Sequence, residues 1–180
     1  MEDEHVRKLM LVLELAEGLS YRLCRTLDSD TLEKVQSVAS GEKCVVQVIP
    51  ERIVLGWRQL ALPLLLTKES YLKGYSVSNK PSIQYILFLA GTRQISKAVE
   101  MLRECSSPPY IVVTDCSREV YEGIKEAINC EEIPPTSLGG EVDVEAVKSF
   151  YGLEMSGVDR ESLEMTVLTK IASSKLLMWK

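Results

Sequence analysis

Residues 86–104 read ILFLAGTRQISKAVEMLRE: a hydrophobic run that stops at a glycine, turns polar for three residues and resumes as an amphipathic pattern. Before the break, Ile83, Ile86, Leu87 and Ala90 fall at i, i+3, i+4 and i+7 and set one apolar stripe inward. Tyr85, Phe88 and Leu89 make much of the opposite face apolar too. This segment is expected to be a largely buried helix. After the break, Ile95, Ala98, Val99 and Leu102 repeat the offsets and leave Arg93, Ser96, Lys97, Glu100 and Arg103 for an outer face. Two helices therefore meet at AGTR. Gly91 can take the left-handed conformation that ends the first, and the Thr92 hydroxyl can cap the free N–H groups that begin the second. Ile95 stands where the Glu or Gln of a full capping box would reach back. By itself such a corner is ordinary helix punctuation and carries no chemistry.

Outward from the corner, strands and helices alternate. KLMLVLELAEG suits a helix or a buried strand, and we read it as a strand turning at EG into a second short strand, YRLCRTL. Asp28 or Ser29 would cap a helix running to Ser40. CVVQVIP is the clearest strand, β-branched and closed by a proline. Residues 51–73 read as a long helix, and Pro63 inside it predicts a kink or a split near Leu62, because proline lacks a donor and clashes one turn back. PYIVVTD gives another core strand and 117–129 a helix, EEIPPTSLGGE is a loop by composition, and helices over 143–151 and 159–178 complete the chain. The expected fold is an α/β (α+β) single domain spanning residues 1–180, with a small mixed sheet of about four strands packed by six to eight helices.

The chain has 180 residues, 46% of them hydrophobic, enough for one sizeable core. MEDEHVRK lacks a basic n-region and the longest apolar stretch, LALPLLL, is far too short to span a bilayer, so a soluble cytoplasmic protein with no membrane partner is expected. The five cysteines, Cys24, Cys44, Cys105, Cys116 and Cys130, are odd in number and show no C-x-x-C spacing. That pattern predicts buried free thiols rather than a disulfide framework or a structural zinc site. The net charge of −5 opposes bulk electrostatic coating of nucleic acid, and no DNA partner is expected. Between Arg52 and Arg103, however, eight basic residues face two acidic ones, a balance of +6 that falls to +4 when Glu51 and Glu104 are included. This is a modest basic region on an acidic protein.

Catalytic equipment is scarce. The only histidine is His5, near the start of the chain, which nearly removes Ser-His, Cys-His and histidine-metal mechanisms. SLGGEVD follows no strand and lacks the Gly-Lys-Ser/Thr ending of a phosphate-cradling loop, and AGTRQ has one glycine only. Glu131-Glu132 and Glu141-Val142-Asp143 do not match a calcium loop. No catalytic residue, metal or cofactor is predicted. Asp115-Cys116, just after a predicted strand, is the remaining foothold for a small α/β enzyme.

NKPSIQYILFLAGTRQISKAVEML, residues 79–102, closely resembles the signature of the PRPK-binding protein (TPRKB) family, a subunit of the KEOPS complex. There a leucine-rich helix runs into a Gly-Thr-Arg-Gln-Ile corner and a second amphipathic helix. VVQVIPERIVLGWRQLALPLLL and IVVTD are similar to that family's strand and long helix and to its later strand, so the likeness covers roughly residues 44–128; Pro63 and the loop after Asn129 depart from it. The resemblance implies a non-catalytic accessory subunit of the complex that installs threonylcarbamoyl on adenosine 37 of tRNA. Its partners would be the complex's small atypical kinase, other subunits through that kinase, and tRNA, whose 3′ CCA end archaeal members are associated with holding. A protein-interaction module unrelated to tRNA is the second choice, a small enzyme the third.

Two sets of residues would carry these contacts. Arg93 and Gln94, placed in the first turn of a helix, with Lys97 a turn on, could hold phosphate; Lys80, Lys68 and Lys73 would extend this into a track, with Tyr71 or Tyr75 stacking on bases. Otherwise Arg93 packs over the sheet or bridges to a carboxylate and Gln94 ties down the corner. In the last helix, Leu177, Met178 and Trp179 add apolar surface beyond what one stripe can bury and would bind the kinase, unless the last turn folds back on its own core.

Overall fold

In a computed structural model, residues 19–39 and 41–179 are described, so the strand expected in KLMLVLELAEG and the histidine at position 5 lie outside the described residues. Among the described residues four strands, β1 (Arg22–Thr26), β2 (Val46–Pro50), β3 (Tyr110–Thr114) and β4 (Glu131–Glu132), form one sheet in the order β2-β3-β1-β4. Every pairing is antiparallel, which corrects the expected mixed sheet. The loop reading of EEIPPTSLGGE also missed β4, because two exposed glutamates carry no strand pattern and form a strand only by pairing with Cys24 and Arg25.

Seven α-helices flank the sheet among the described residues: α1 (Thr31–Ala39), α2 (Trp57–Lys73), α3 (Pro81–Ala90), α4 (Ile95–Glu104), α5 (Arg118–Ile128), α6 (Val144–Tyr151) and α7 (Arg160–Met178). β3 is buried along its whole length, and its period-2 alternation feeds two cores. Ile111 and Val113 join Leu23, Ile49 and side chains of α2, α3, α6 and α7 on one face. Tyr110 and Val112 join Cys24, Val48, Val35 of α1 and Tyr121, Ile124 and Ile128 of α5 on the other. The chain is thus a single mixed α/β domain with helices on both faces of the sheet.

Pro63 does not split its helix. After a 3₁₀ turn at Glu51–Ile53, α2 runs unbroken from Trp57 to Lys73 with Pro63 buried inside it. Packing against α3 and α7 holds this helix, and Gln59, the residue a turn before the proline, is itself fixed in the core. Its Oε1 accepts from the Leu55 N–H (2.7 Å), and its Nε2 donates to the Ile53 carbonyl and to the Tyr151 hydroxyl (2.9 Å each). Gly139 has a comparable structural duty. With φ +79° it sits where a Cβ would lie 2.1 Å from the Leu55 carbonyl oxygen and 2.2 Å from Arg160 Nη2, so the loop can press onto the start of α2 only with glycine there.

The cysteines pair, contrary to the expectation of free thiols. Cys24 is bonded to Cys130 and Cys44 to Cys116, leaving only Cys105 free among the described residues. Sequence separations of 106 and 72 hide both bonds from any spacing rule. The register explains the second: β2 and β3 pair Val46 with Thr114, and continuing that antiparallel ladder by two residues sets Cys44 opposite Cys116.

Candidate functional site

α3 and α4 form the expected corner, with one shift. Gly91 ends α3 in the left-handed region (φ 65°, ψ 34°), as its position before Thr92 predicts. The Thr92 hydroxyl accepts the Gln94 N–H (3.2 Å), a local turn that delays the second helix until Ile95. Arg93 and Gln94 therefore precede α4 instead of lying in its first turn: Gln94 is the N-cap, and its side chain makes no capping bond. Lys97 is the third residue of α4, where the free N–H groups and the helix dipole add to its charge. Arg93, Gln94 and Lys97 are all exposed, and neither cation has an ion-pair partner among the described residues. Lys170, which the sequence did not single out, passes behind the corner: its Cγ would lie 3.3 Å from a Cβ on Gly91, and its ammonium bonds the Tyr151 carbonyl.

The other three lysines sit elsewhere. Lys80, exposed and unpaired among the described residues, is the N-cap residue of α3, so α3's ten residues set it about 15 Å from the corner. Lys68 is 3.3 Å from Asp115 Oδ2 and Lys73 is 2.5 Å from Glu69 Oε1. A continuous track of six residues is thus not what the fold builds. Two of the cations are spent on carboxylates, and the remaining ones stand apart, Lys80 at the start of α3 and Arg93 and Lys97 beyond its end.

The stacking platforms also separate. Tyr75 is covered: Trp179 stacks on it with ring centroids 5.3 Å apart, Lys175 approaches its ring at 5.9 Å, and its hydroxyl donates to Glu69 Oε2 (2.9 Å). It cannot receive a base. Tyr71 keeps 38% exposure while its hydroxyl donates to the Ser78 carbonyl (2.7 Å).

That covered tyrosine belongs to a polar clasp between α2 and α7, which run side by side from Arg58 and Glu164 (4.0 Å) to Tyr75 and Trp179. Lys175 and Lys73 both donate to Glu69 Oε1, at 2.8 and 2.5 Å. Burial disfavours the Glu69 carboxylate, but the bonds from Lys175, Lys73 and Tyr75 outweigh it and hold its carboxyl down at about 2. A carboxyl depressed in the folded state stabilises fully above its unfolded value and loses that contribution as pH falls toward 2. Urea unfolding of the wild type and of Glu69→Gln should therefore show a clear stability gap at pH 7 that narrows steadily below about pH 4.5. A gap constant from pH 7 to 2.5 contradicts this account of the clasp.

Beyond the clasp, α7 ends in apolar surface. Leu176 is 76% and Leu177 50% exposed, Trp179 offers 54% despite its stacking, and Leu72 at the matching end of α2 is 87% exposed. Met178 corrects the expected kinase-binding set: at 2% exposure it is a core residue, turned inward by the helical period that turns Leu176 and Leu177 out. The last turn therefore folds back on the core through Met178 and leaves Leu176 and Leu177 exposed.

Catalytic geometry does not assemble at the expected foothold. Asp115 is engaged by Lys68 and by the Val45 N–H (2.7 Å), and Cys116 is oxidised. Burial pushes the Cys105 thiol up to about 11, so it stays protonated near neutrality and is a poor nucleophile. No helix among the described residues is long and apolar enough to cross a membrane. No protein-family model matches the chain, and no curated protein matches it.

Proposed function

We propose that this protein is a non-catalytic subunit of a KEOPS-type complex for tRNA threonylcarbamoyladenosine modification, of the kind its corner motif resembles. It docks the complex's small atypical kinase through the end of the α2–α7 pair and helps recruit tRNA by its 3′ CCA end through Lys80 on one side of α3 and Arg93, Gln94 and Lys97 on the other. The observation that carries this reading is the set of exposed apolar side chains at the end of the helix pair, Leu176, Leu177 and Trp179 at the end of α7 and Leu72 at that of α2, on helices tied together by the Glu69 clasp. An exposed tryptophan flanked by exposed apolar side chains suits a partner interface. The same set also supports the second reading, an interaction module unrelated to tRNA.

The test is binding of the isolated chain to the purified small kinase of a KEOPS complex, to full-length tRNA and to tRNA lacking CCA. Binding to the kinase, with a preference for the intact tRNA, is expected. Kinase binding with no response to CCA keeps the docking half of the proposal and removes the tRNA half, and absence of both interactions defeats the proposal and leaves the second reading.

A further inference from the structure

Cys44, Asp115 and Cys116 converge at one end of the sheet: a ligand atom from each lies within 4.8 Å of the other two. No other such group of three converges among the described residues. We propose that reduction of the Cys44–Cys116 bond turns this cluster into a zinc-binding site, with two thiolates and one carboxylate as ligands and a water in the fourth position.

The chemistry balances with a dithiol as reductant. The dithiol gives two electrons and two protons to the disulfide, the S–S bond breaks, and the reductant leaves as its own disulfide. Zinc then displaces both thiol protons, which pass to solvent. Zinc takes sulfur at about 2.3 Å and carboxylate oxygen at about 2.0–2.2 Å in a tetrahedron. The continued β2–β3 register holds the two cysteines opposite each other, with Cα atoms 5.1 Å apart, so breaking the S–S bond leaves both sulfurs at one place.

The surroundings position the ligands. Asp115 is oriented by the Val45 N–H on Oδ1 (2.7 Å), and Thr114 Oγ1 accepts the Cys116 N–H (3.1 Å), so the carboxylate and one cysteine backbone are positioned by second partners. Lys68, 3.3 Å from Asp115 Oδ2, supplies the balancing charge. Two thiolates and a carboxylate carry −3, zinc brings +2, and the Lys68 ammonium brings the total to zero. Cys44 is only partly buried, which leaves a path for the reductant and the ion from its side. Cys24–Cys130 differs: Cys24 is fully buried, Cys130 nearly so, and no carboxylate joins them in such a cluster.

The experiment reduces the full chain with a phosphine, which does not compete for zinc, removes the phosphine, and titrates Zn²⁺ against a chromophoric chelator. Co²⁺ is used in parallel to read thiolate-to-metal charge-transfer absorption. The reduced chain is expected to take up one zinc and the oxidised chain none. Asp115→Asn removes a ligand and should weaken uptake by more than the roughly tenfold that losing an outer-shell partner costs, and Cys44→Ser with Cys116→Ser should abolish it while Cys24, Cys105 and Cys130 remain. Circular dichroism follows the fold throughout. The proposal is overturned if the bond resists the phosphine under native conditions, if the double variant still binds zinc, or if Asp115→Asn binds as tightly as wild type. It is equally overturned if the reduced chain unfolds and zinc does not restore it.

Discussion

Replacing Leu176 and Leu177 together by lysine is expected to weaken kinase binding roughly 100-fold without unfolding the protein. Both side chains are at least half exposed, so their loss removes little from the core, whereas a partner that covers them buries apolar area worth about 1.5–3 kcal/mol for each side chain fully taken from water. About 2.8 kcal/mol corresponds to two decades in affinity. Lysine is chosen because positive charge suits the last turn of a helix, so the substitutions do not act by destabilising α7. Truncation from residue 176 would be a poorer experiment: it removes Met178, a core side chain, and Trp179, which covers Tyr75. Calorimetric titration against the kinase reads the effect, with thermal unfolding as the control. Affinity within threefold of wild type would place the kinase interface elsewhere.

The contrast between Met178 and its neighbours shows which features were legible in the sequence. The stop of α3 at Gly91 and the bounds of α5, α6 and α7 came through to within a residue, and each of these helices has a local stop or start residue: Gly91, Ser117 with Asn129, Asp143, and Asp159. An excess of apolar residues at 176–179 was also visible, but which of them turns inward depends on the phase α7 inherits from packing along its whole length. The disulfides, the Lys68–Asp115 pair and the two-residue strand β4 were out of reach for a related reason. Each joins segments that only the antiparallel register and the helix layers bring together, and none leaves a mark on local spacing. Pro63 misled in the opposite direction. Its local cost is real, but the contacts of α2 with α3 and α7 carry the helix across it.

Charge reversal at the two ends of α3, Lys80→Glu combined with Lys97→Glu, is expected to lower affinity for full-length tRNA about 100-fold at low salt. A hydrogen bond to a charged group is worth about 1.5–3 kcal/mol, so two lost phosphate contacts at the low end of that range already supply two decades. The positions protect the experiment from a trivial failure. Lys80 is the N-cap of α3 and Lys97 the third residue of α4, sites where glutamate interacts favourably with a helix dipole, so neither helix should weaken. Kinase affinity should stay unchanged in the Lys97→Glu single variant, which serves as that control because Lys80 lies at the end of the short loop leaving α2, whose Ser78 is bonded to Tyr71 beside the proposed kinase face. Because Lys68 and Lys73 are held by Asp115 and Glu69, few cations remain to displace counterions, and the dependence of log affinity on log salt should be shallow, with a slope between about −1.4 and −2.8 for two to four phosphates of a single strand. Each anchor should contribute separately: the single variants should each lower the slope by about 0.7, and removing CCA should erase the difference between wild type and double variant. If the double variant binds intact tRNA as well as wild type does, the exposed cations around α3 are solvated surface and the Gly91 corner is architecture alone.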